Sequence, residues 1–307
     1  MRVLIIGLGS IARKHIHAIT KLVPDVELIA LRSSVDAPIV NGVKNIFTWD
    51  EIGTVGKFDF AIISNPTSQH ISSIEKLIEY NMPLFIEKPL NNKVVDDELI
   101  DLIQTKNIIT YIACNLRFLH SLQEIKKIIY QQRINEVNVY CGSFLPEWRP
   151  GTDYKSTYSA IPELGGGVHI DLIHEIDYIY WLFGAPVKSN SFFSNKSSLG
   201  IRAYDYANYL LEYQDFTTNI ILNYYRRDYK RTLEILTDNH TYLVDLAKNN
   251  ISQDGTIIFS SDQKIIDTYE CQMEYFLHCI KQNNTSFNTI QTANEILKIC
   301  IKNDSKR

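Results

Sequence analysis

The chain has little of what would commit it to a membrane, to nucleic acid or to a disulfide framework. Its five cysteines, Cys114, Cys141, Cys271, Cys279 and Cys300, are odd in number, widely spaced and free of any CxxC pair. That usage argues against a disulfide scaffold and against a zinc site, so no metal is expected, and reduced thiols suit a cytoplasmic protein. No apolar run approaches the ~20 residues a bilayer span requires, and residues 1–9 are too short for the core of a signal peptide. With 31 basic against 35 acidic side chains and a net charge of -4, there is no cationic surplus to hold nucleic acid or an anionic membrane. Neither a Gly/Ser tether nor an internal repeat interrupts the chain. A small molecule is the expected ligand.

What is present is an ordinary folded composition, 45% hydrophobic and 21% charged, in a chain of 307 residues, enough for two domains. The first run, RVLII at 2–6, leads into GLGSIA at 7–12 and then an amphipathic stretch, which reads as strand, tight turn and helix. Further apolar runs follow at 26–31, 46–49, 58–63, 83–86 and 108–113, with helical segments between the later ones. Continuous apolar strands alternating with helices predict a parallel, doubly wound sheet covered on both faces, here assigned to residues 1–118. From 119 to 307 the pattern changes to alternating strands joined by short polar turns. A long helix is predicted at 166–184, with two more near 268–282 and 290–302, giving an α+β domain with a large, mainly antiparallel sheet.

Placed between strand and helix, GLGSIA suits a dinucleotide. Gly7 would permit the tight turn, Gly9 the approach of a pyrophosphate, and Ala12 close packing of helix on strand, with Ser10 and Ile11 opening the helix beside the ligand. At the tip of the second strand the chain reads ALRSS. An acidic residue there would bind an adenosine ribose; Arg32 and Ser33 suit a 2′-phosphate instead, which favours NADP, although Asp36 close by keeps NAD open. After the fourth strand, Asn65, Pro66 and His70 fall where a crevice at the carboxyl ends of the strands is expected. IEKPL places Glu87 and Lys88 at the corresponding end of the next strand.

These marks together, GLGSIA, EKP at 87–89 and GGGVHIDLIHEID at 165–177, resemble the Gfo/Idh/MocA family of nicotinamide-dependent oxidoreductases, in an order and spacing that run over essentially the whole chain. The resemblance implies an N-terminal Rossmann domain and a Lys88 that lies beside nicotinamide and substrate. It also implies a catalytic His174 that serves as base when hydride leaves a carbinol carbon. Asp171 stands three residues before His174, where much of the family has four, and is expected to orient the base or bind substrate. His169 is read as structural, and Glu175 and Asp177 as residues of the helix surface. The polar-aromatic segment 144–164 and the domain junction supply candidate substrate contacts in Trp148, Arg149, Tyr154, Tyr158 and Arg117.

The subgroup of this family associated with bacterial surface-polysaccharide and amino-sugar synthesis is similar in the loop and the helix. That likeness implies a sugar or nucleotide-sugar substrate. Two other readings stay open: a glycoside hydrolase that uses tightly held NAD for transient oxidation, and a non-catalytic dinucleotide sensor. A homodimer or homotetramer is expected, with the tyrosine-rich strands, including Tyr204, Tyr206, Tyr209, Tyr213, Tyr224 and Tyr225, serving either the interface or the core.

Overall fold

Residues 2–6 bury every side chain after Arg2, which requires cover on both faces of the strand they form. The computed structural model describes residues 1–301; 302, expected to end the last helix, and the rest of the second expected domain lie outside the described residues. The described chain divides into two units, Met1–Asn115 with Ile266–Leu297, and Leu116–Ile265 with the residues from Lys298 onward.

In the first unit, β1 (Arg2–Ile6), α1 (Ser10–Leu22), β2 (Glu27–Leu31), β3 (Val43–Ile46), α2 (Asp50–Val55), β4 (Phe60–Ile63), α3 (His70–Leu77), β5 (Leu84–Ile86), α4 (Asp97–Thr105) and β6 (Thr110–Ile112) follow in order. The strands form one parallel sheet, β3-β2-β1-β4-β5-β6. Strand order reverses at β1, the switch point where ligands of such sheets lie. The third strand falls at 43–46, earlier than the predicted 46–49, because Val43 and Ile46 are its buried positions while Phe47 is exposed. On α1 the buried residues Ala12, His15, Ala18 and Ile19 form one stripe at helical spacing.

The second unit opens with α5 (His120–Ile128) and β7 (Ile134–Phe144). A long segment of short turns leads to α6 (Val168–Asp171) and α7 (His174–Phe183). Then come β8 (Lys188–Ser194), β9 (Tyr206–Glu212), β10 (Thr217–Asn223), β11 (Tyr225–Thr237), β12 (Thr241–Asp245), β13 (Asn250–Gln253) and β14 (Thr256–Ser260). They make an eight-stranded sheet, β14-β13-β12-β11-β7-β10-β9-β8, antiparallel except between β7 and β10. Alternation is clear on β11, where Arg231, Leu233, Ile235 and Thr237 are buried and the residues between them are not. The tyrosines divide accordingly. Tyr209, Tyr213 and Tyr224 belong to the core, whereas Tyr204 and Tyr225 remain exposed.

The predicted helix 166–184 is two helices. Leu172, at φ -100° and ψ 31°, ends α6, and His174 begins α7. Asp171 and His174 therefore do not share a continuous helix, and periodicity does not fix their relation.

The last two helices are α8 (Thr268–Gln282) and α9 (Ile290–Cys300). The first packs on α1, and Phe276 sets its ring edge-on to Phe60 and Phe85 at 5.3 and 5.4 Å. Ile290 and Ala293 of α9 join the apolar core of the first sheet. No helix among the described residues is long and apolar enough to cross a membrane, and no group of side chains there could hold a metal ion.

Candidate functional site

In the first unit the glycine turn is built as its sequence requires. Gly7 has φ +85°, and a Cβ there would stand 2.6 Å from the Cα of Asn65, so both conformation and space demand glycine. Gly9 caps α1, and a Cβ on it would meet nothing within 4 Å. No side chain caps this helix end and no acidic residue lies in its first turn, which leaves amide donors and the positive end of the helix dipole for an anion. Ser10 is exposed and Ile11 half-buried beside it. Gly7, Gly9 and the start of α1 thus fit the pyrophosphate of a dinucleotide.

Arg32 is not a solvated loop residue. It is 8% exposed, and its Nη1 donates to the carbonyl of Pro38 and to Asn45 Oδ1, both at 3.2 Å, while Ser33 next to it is exposed. On the loop after β4, Ser64 Oγ donates to the Gly7 carbonyl at 2.9 Å, and Asn65 Nδ2 donates to Ser73 Oγ at 2.9 Å; Pro66 is exposed. His70 is turned inward. It is 1% exposed, with Nε2 2.9 Å from the Asn65 carbonyl and Nδ1 at 3.1 and 3.3 Å from those of Pro89 and Leu90. Burial pushes its pKa down, opposed by the Asn65 carbonyl, the charge of Glu87 and the carbonyls of Leu90 and Pro89.

Glu87 is also turned inward. One carboxylate oxygen meets His15 Nε2 from α1, and the other accepts the backbone N–H of Lys88 at 3.1 Å. The Lys88–Pro89 peptide is cis, and Lys88 is half-buried. His15 was not singled out in the sequence. The only signal was a polar ring in an apolar helix stripe.

In the second unit the glycines before α6 make the approach to His174. A Cβ on Gly166 would lie 2.0 Å from the carbonyl oxygen of Tyr158, so this backbone crossing excludes any other residue. Asp171, buried, accepts hydrogen bonds from Tyr158 Oη at 2.9 Å and from Tyr224 Oη. Burial first, and the Asp171 charge second, push both phenols above their ordinary pKa, so both stay protonated as donors. Trp148 stands edge-on to Tyr224 at 5.3 Å and donates Nε1 to Ser143 Oγ at 3.0 Å; the Arg149 guanidinium lies 5.0 Å from the centre of the Tyr158 ring. Trp148, Tyr158 and Asp171 are thus brought together, with Tyr224 as the member that sequence reasoning had left to core or interface.

A cavity of about 360 Å³ has Trp148 in its wall, with Phe144, Glu147, Leu172, Arg227 and Tyr229 among its other lining residues. It sits where β11 bulges out of register with β7, between the pairs Tyr225↔Phe144 and Lys230↔Gly142. Bulges re-aim side chains in this way.

Arg117 and Tyr154 are placed elsewhere. Arg117 is 1% exposed and gives Nε and Nη2 to Asp177 at 2.9 and 2.7 Å, while Tyr154 donates its hydroxyl to the Leu199 carbonyl at 3.0 Å. The expectation of a solvated helix surface at Glu175 and Asp177 is corrected: both are fully buried, Glu175 pairing with Arg231 through contacts of 2.6 and 3.2 Å. A buried carboxylate must be paired, and each has found a guanidinium far away in sequence.

His169, enclosed by Phe193 and Tyr204, agrees with its structural reading. Burial pushes its pKa down to about 4, so between there and the unfolded value near 6.5 the unfolded chain binds the extra proton. This contribution to stability is complete above pH 6.5 and is lost as the pH falls toward 4, by up to about 3 kcal/mol. Denaturant titrations at pH 7 and pH 4.5 should show a smaller acid loss for His169→Gln than for the parent; equal losses would assign the acid sensitivity to other groups.

A 3-2-1-4-5-6 parallel sheet with an open glycine turn at its switch point defines a dinucleotide-binding fold. A family model described as an oxidoreductase family with an NAD-binding Rossmann fold matches residues 1–112, and one for the GFO/IDH/MocA C-terminal domain matches 122–247. The chain belongs to the Gfo/Idh/MocA family of oxidoreductases.

Among its relatives, the rhizopine catabolism protein MocA of Rhizobium meliloti is 22% identical over 186 residues, covering 59% of this chain and 56% of the relative. The scyllo-inositol 2-dehydrogenase (NAD(+)) of Bacillus subtilis is 25% identical over 199 residues, covering 62% of this chain. The match again spans only 56% of that relative's length. The crystal structure of myo-inositol 2-dehydrogenase from Lactobacillus plantarum superimposes with a TM-score of 0.79 at 22% identity, over 98% of this chain and 95% of the other.

Proposed function

We propose that the chain is a nicotinamide-dependent dehydrogenase or reductase acting on a carbinol or ketone of a sugar, polyol or nucleotide-sugar. The observation that carries this reading is the glycine turn, open at Gly9 and closed at Gly7, in a chain of this family that also keeps Lys88 and His174. The bound cofactor would accept or supply the hydride. The chain's own residues handle the proton: Lys88 donates to the oxygen that gains or loses double-bond character, and His174 takes up or returns the hydroxyl proton. Asp171, held by its two tyrosines, would orient substrate. The aromatic and charged lining of the 360 Å³ cavity, with Trp148 and Tyr229 as ring faces and Arg227 and Glu147 as hydrogen-bonding heads, supports a hydroxylated ring as ligand.

NADP is the cofactor we favour over NAD, because Arg32 is held at the end of β2 by Pro38 and Asn45 with no carboxylate in its contacts. We also infer a homodimer or homotetramer, since strand register puts Phe192, Leu210 and Leu243, all exposed, on one face of the second sheet.

Calorimetric titration with NADPH, NADP, NADH and NAD tests the reading, after a check by absorbance for cofactor that copurifies. Arg32→Ala should weaken NADPH at least tenfold more than NADH. Equal weakening would discard the 2′-phosphate role, and failure of all four to bind would discard the oxidoreductase. Tightly retained NAD, with no net turnover on sugars, would point instead to hydrolysis through transient oxidation.

A further inference from the structure

The contacts of the first unit form a closed circuit around Lys88. Gly7 packs against Asn65 so closely that no Cβ fits between them. The Asn65 carbonyl faces His70 Nε2, and His70 Nδ1 faces the carbonyls of Pro89 and Leu90, immediately after Lys88. On the other side Lys88 gives its backbone N–H to Glu87, and Glu87 meets His15, five residues into the helix that begins at the glycine turn. Phe85 and Tyr269 enclose His15, with ring centres at 4.8 and 5.7 Å.

Three loops at the carboxyl ends of β1, β4 and β5 are therefore joined by two buried histidines. Neither histidine is needed for the core as such. An apolar ring would fill either space without leaving a buried nitrogen to satisfy, whereas a buried imidazole is favourable only if its donors find acceptors. His70 has backbone carbonyls on both edges, so whichever ring nitrogen carries the proton finds an acceptor, at Asn65 or at Pro89 and Leu90.

We propose that His70 and His15 are positioning residues for Lys88, fixing its backbone from both sides against the glycine turn so that the amine is presented at a set distance from the dinucleotide. This inference rests on the catalytic reading of Lys88. The circuit holds the main chain on either side of Lys88, so losing a histidine should misplace the amine without abolishing the cofactor site. Misplacement of a catalytic group by about 1 Å is enough to cost about a hundredfold in rate.

The test compares His70→Phe, His70→Gln and His15→Phe with the parent by two readouts. Lysine amines are reductively methylated with ¹³C-formaldehyde, and the Lys88 resonance, assigned from a Lys88→Arg sample, is followed as pH is raised. NADH and NADPH affinities are measured by calorimetry on unlabelled samples. The expected result is a displaced Lys88 resonance in both Phe variants, cofactor affinity within about threefold of the parent, and partial return toward the parent in His70→Gln, which keeps an N–H donor group. Should His70→Phe fail to fold, His15→Phe carries the same comparison from the other side of the turn. A Lys88 resonance unmoved in folded Phe variants would overturn the positioning role while leaving the catalytic reading intact. If the resonance moves as expected but Lys88→Met turns over normally, the circuit stands and the catalytic reading falls.

Discussion

Replacing Lys88 with methionine is expected to cut kcat by about 10²- to 10⁴-fold, the range a positioned acid or base supplies. Cofactor affinity should remain within a few-fold. Methionine keeps the length and apolar stem of lysine and removes only the charged donor. The turn has other anchors: the Glu87 carboxylate accepts the Lys88 backbone N–H, and His70 faces the Pro89 and Leu90 carbonyls. Folding should therefore survive the change, and the denaturant midpoint should lie close to that of the parent. Steady-state rates with the best sugar from a cofactor-linked screen, read beside calorimetric cofactor titrations, separate the two effects. A kcat within threefold of the parent would remove Lys88 from the chemistry.

The second large effect concerns stability. Asp177→Ala leaves the Arg117 guanidinium, 1% exposed, with its two-pronged partner gone. Removing one partner of a buried pair costs about 3–5 kcal/mol, because the remaining charge stays desolvated. Pairing the change with Arg117→Met should recover much of that loss, since an apolar replacement of similar volume removes the charge along with its partner. Equilibrium urea unfolding of the single and double variants measures both quantities. A single-variant loss below 1 kcal/mol would mean that water reaches the guanidinium and that this contact holds little of the second unit together.

What could be read in advance was local. Strand, glycine turn and helix lie within the first 22 residues, and hydrophobic periodicity alone places them in register. The break between Asp171 and His174 was hidden because DLIH continues an apolar pattern, and only the dihedrals of Leu172 reveal the stop. The burial of Glu175 and Asp177 could not be read at all. Their partners, Arg231 and Arg117, lie 56 and 60 residues away, and a carboxylate on a helix looks the same whether it meets solvent or a distant guanidinium. The same holds for His15 and Glu87, 72 residues apart. Among the strands, KSNSFFS at the sheet edge shows no alternation of apolar and polar residues from which to read it, as suits an outermost strand. In the site itself, Trp148, Tyr158 and Asp171 were legible from residue type and neighbourhood, while Tyr224, which completes the carboxylate's coordination, lies at the bend between β10 and β11, more than fifty residues onward.

The return of Ile266–Leu297 to the first unit sets an order of events at the ribosome. The nucleotide-binding half is begun before the second unit and finished after it, because Phe276 and Ile290, which complete its core, leave the exit tunnel only after the whole stretch 116–265 has been made. At 5–20 residues per second that stretch takes roughly 8–30 s. Through that interval the nascent parallel sheet carries an uncovered apolar face, and a chaperone that shields it must let go in time for the terminal helices to take its place.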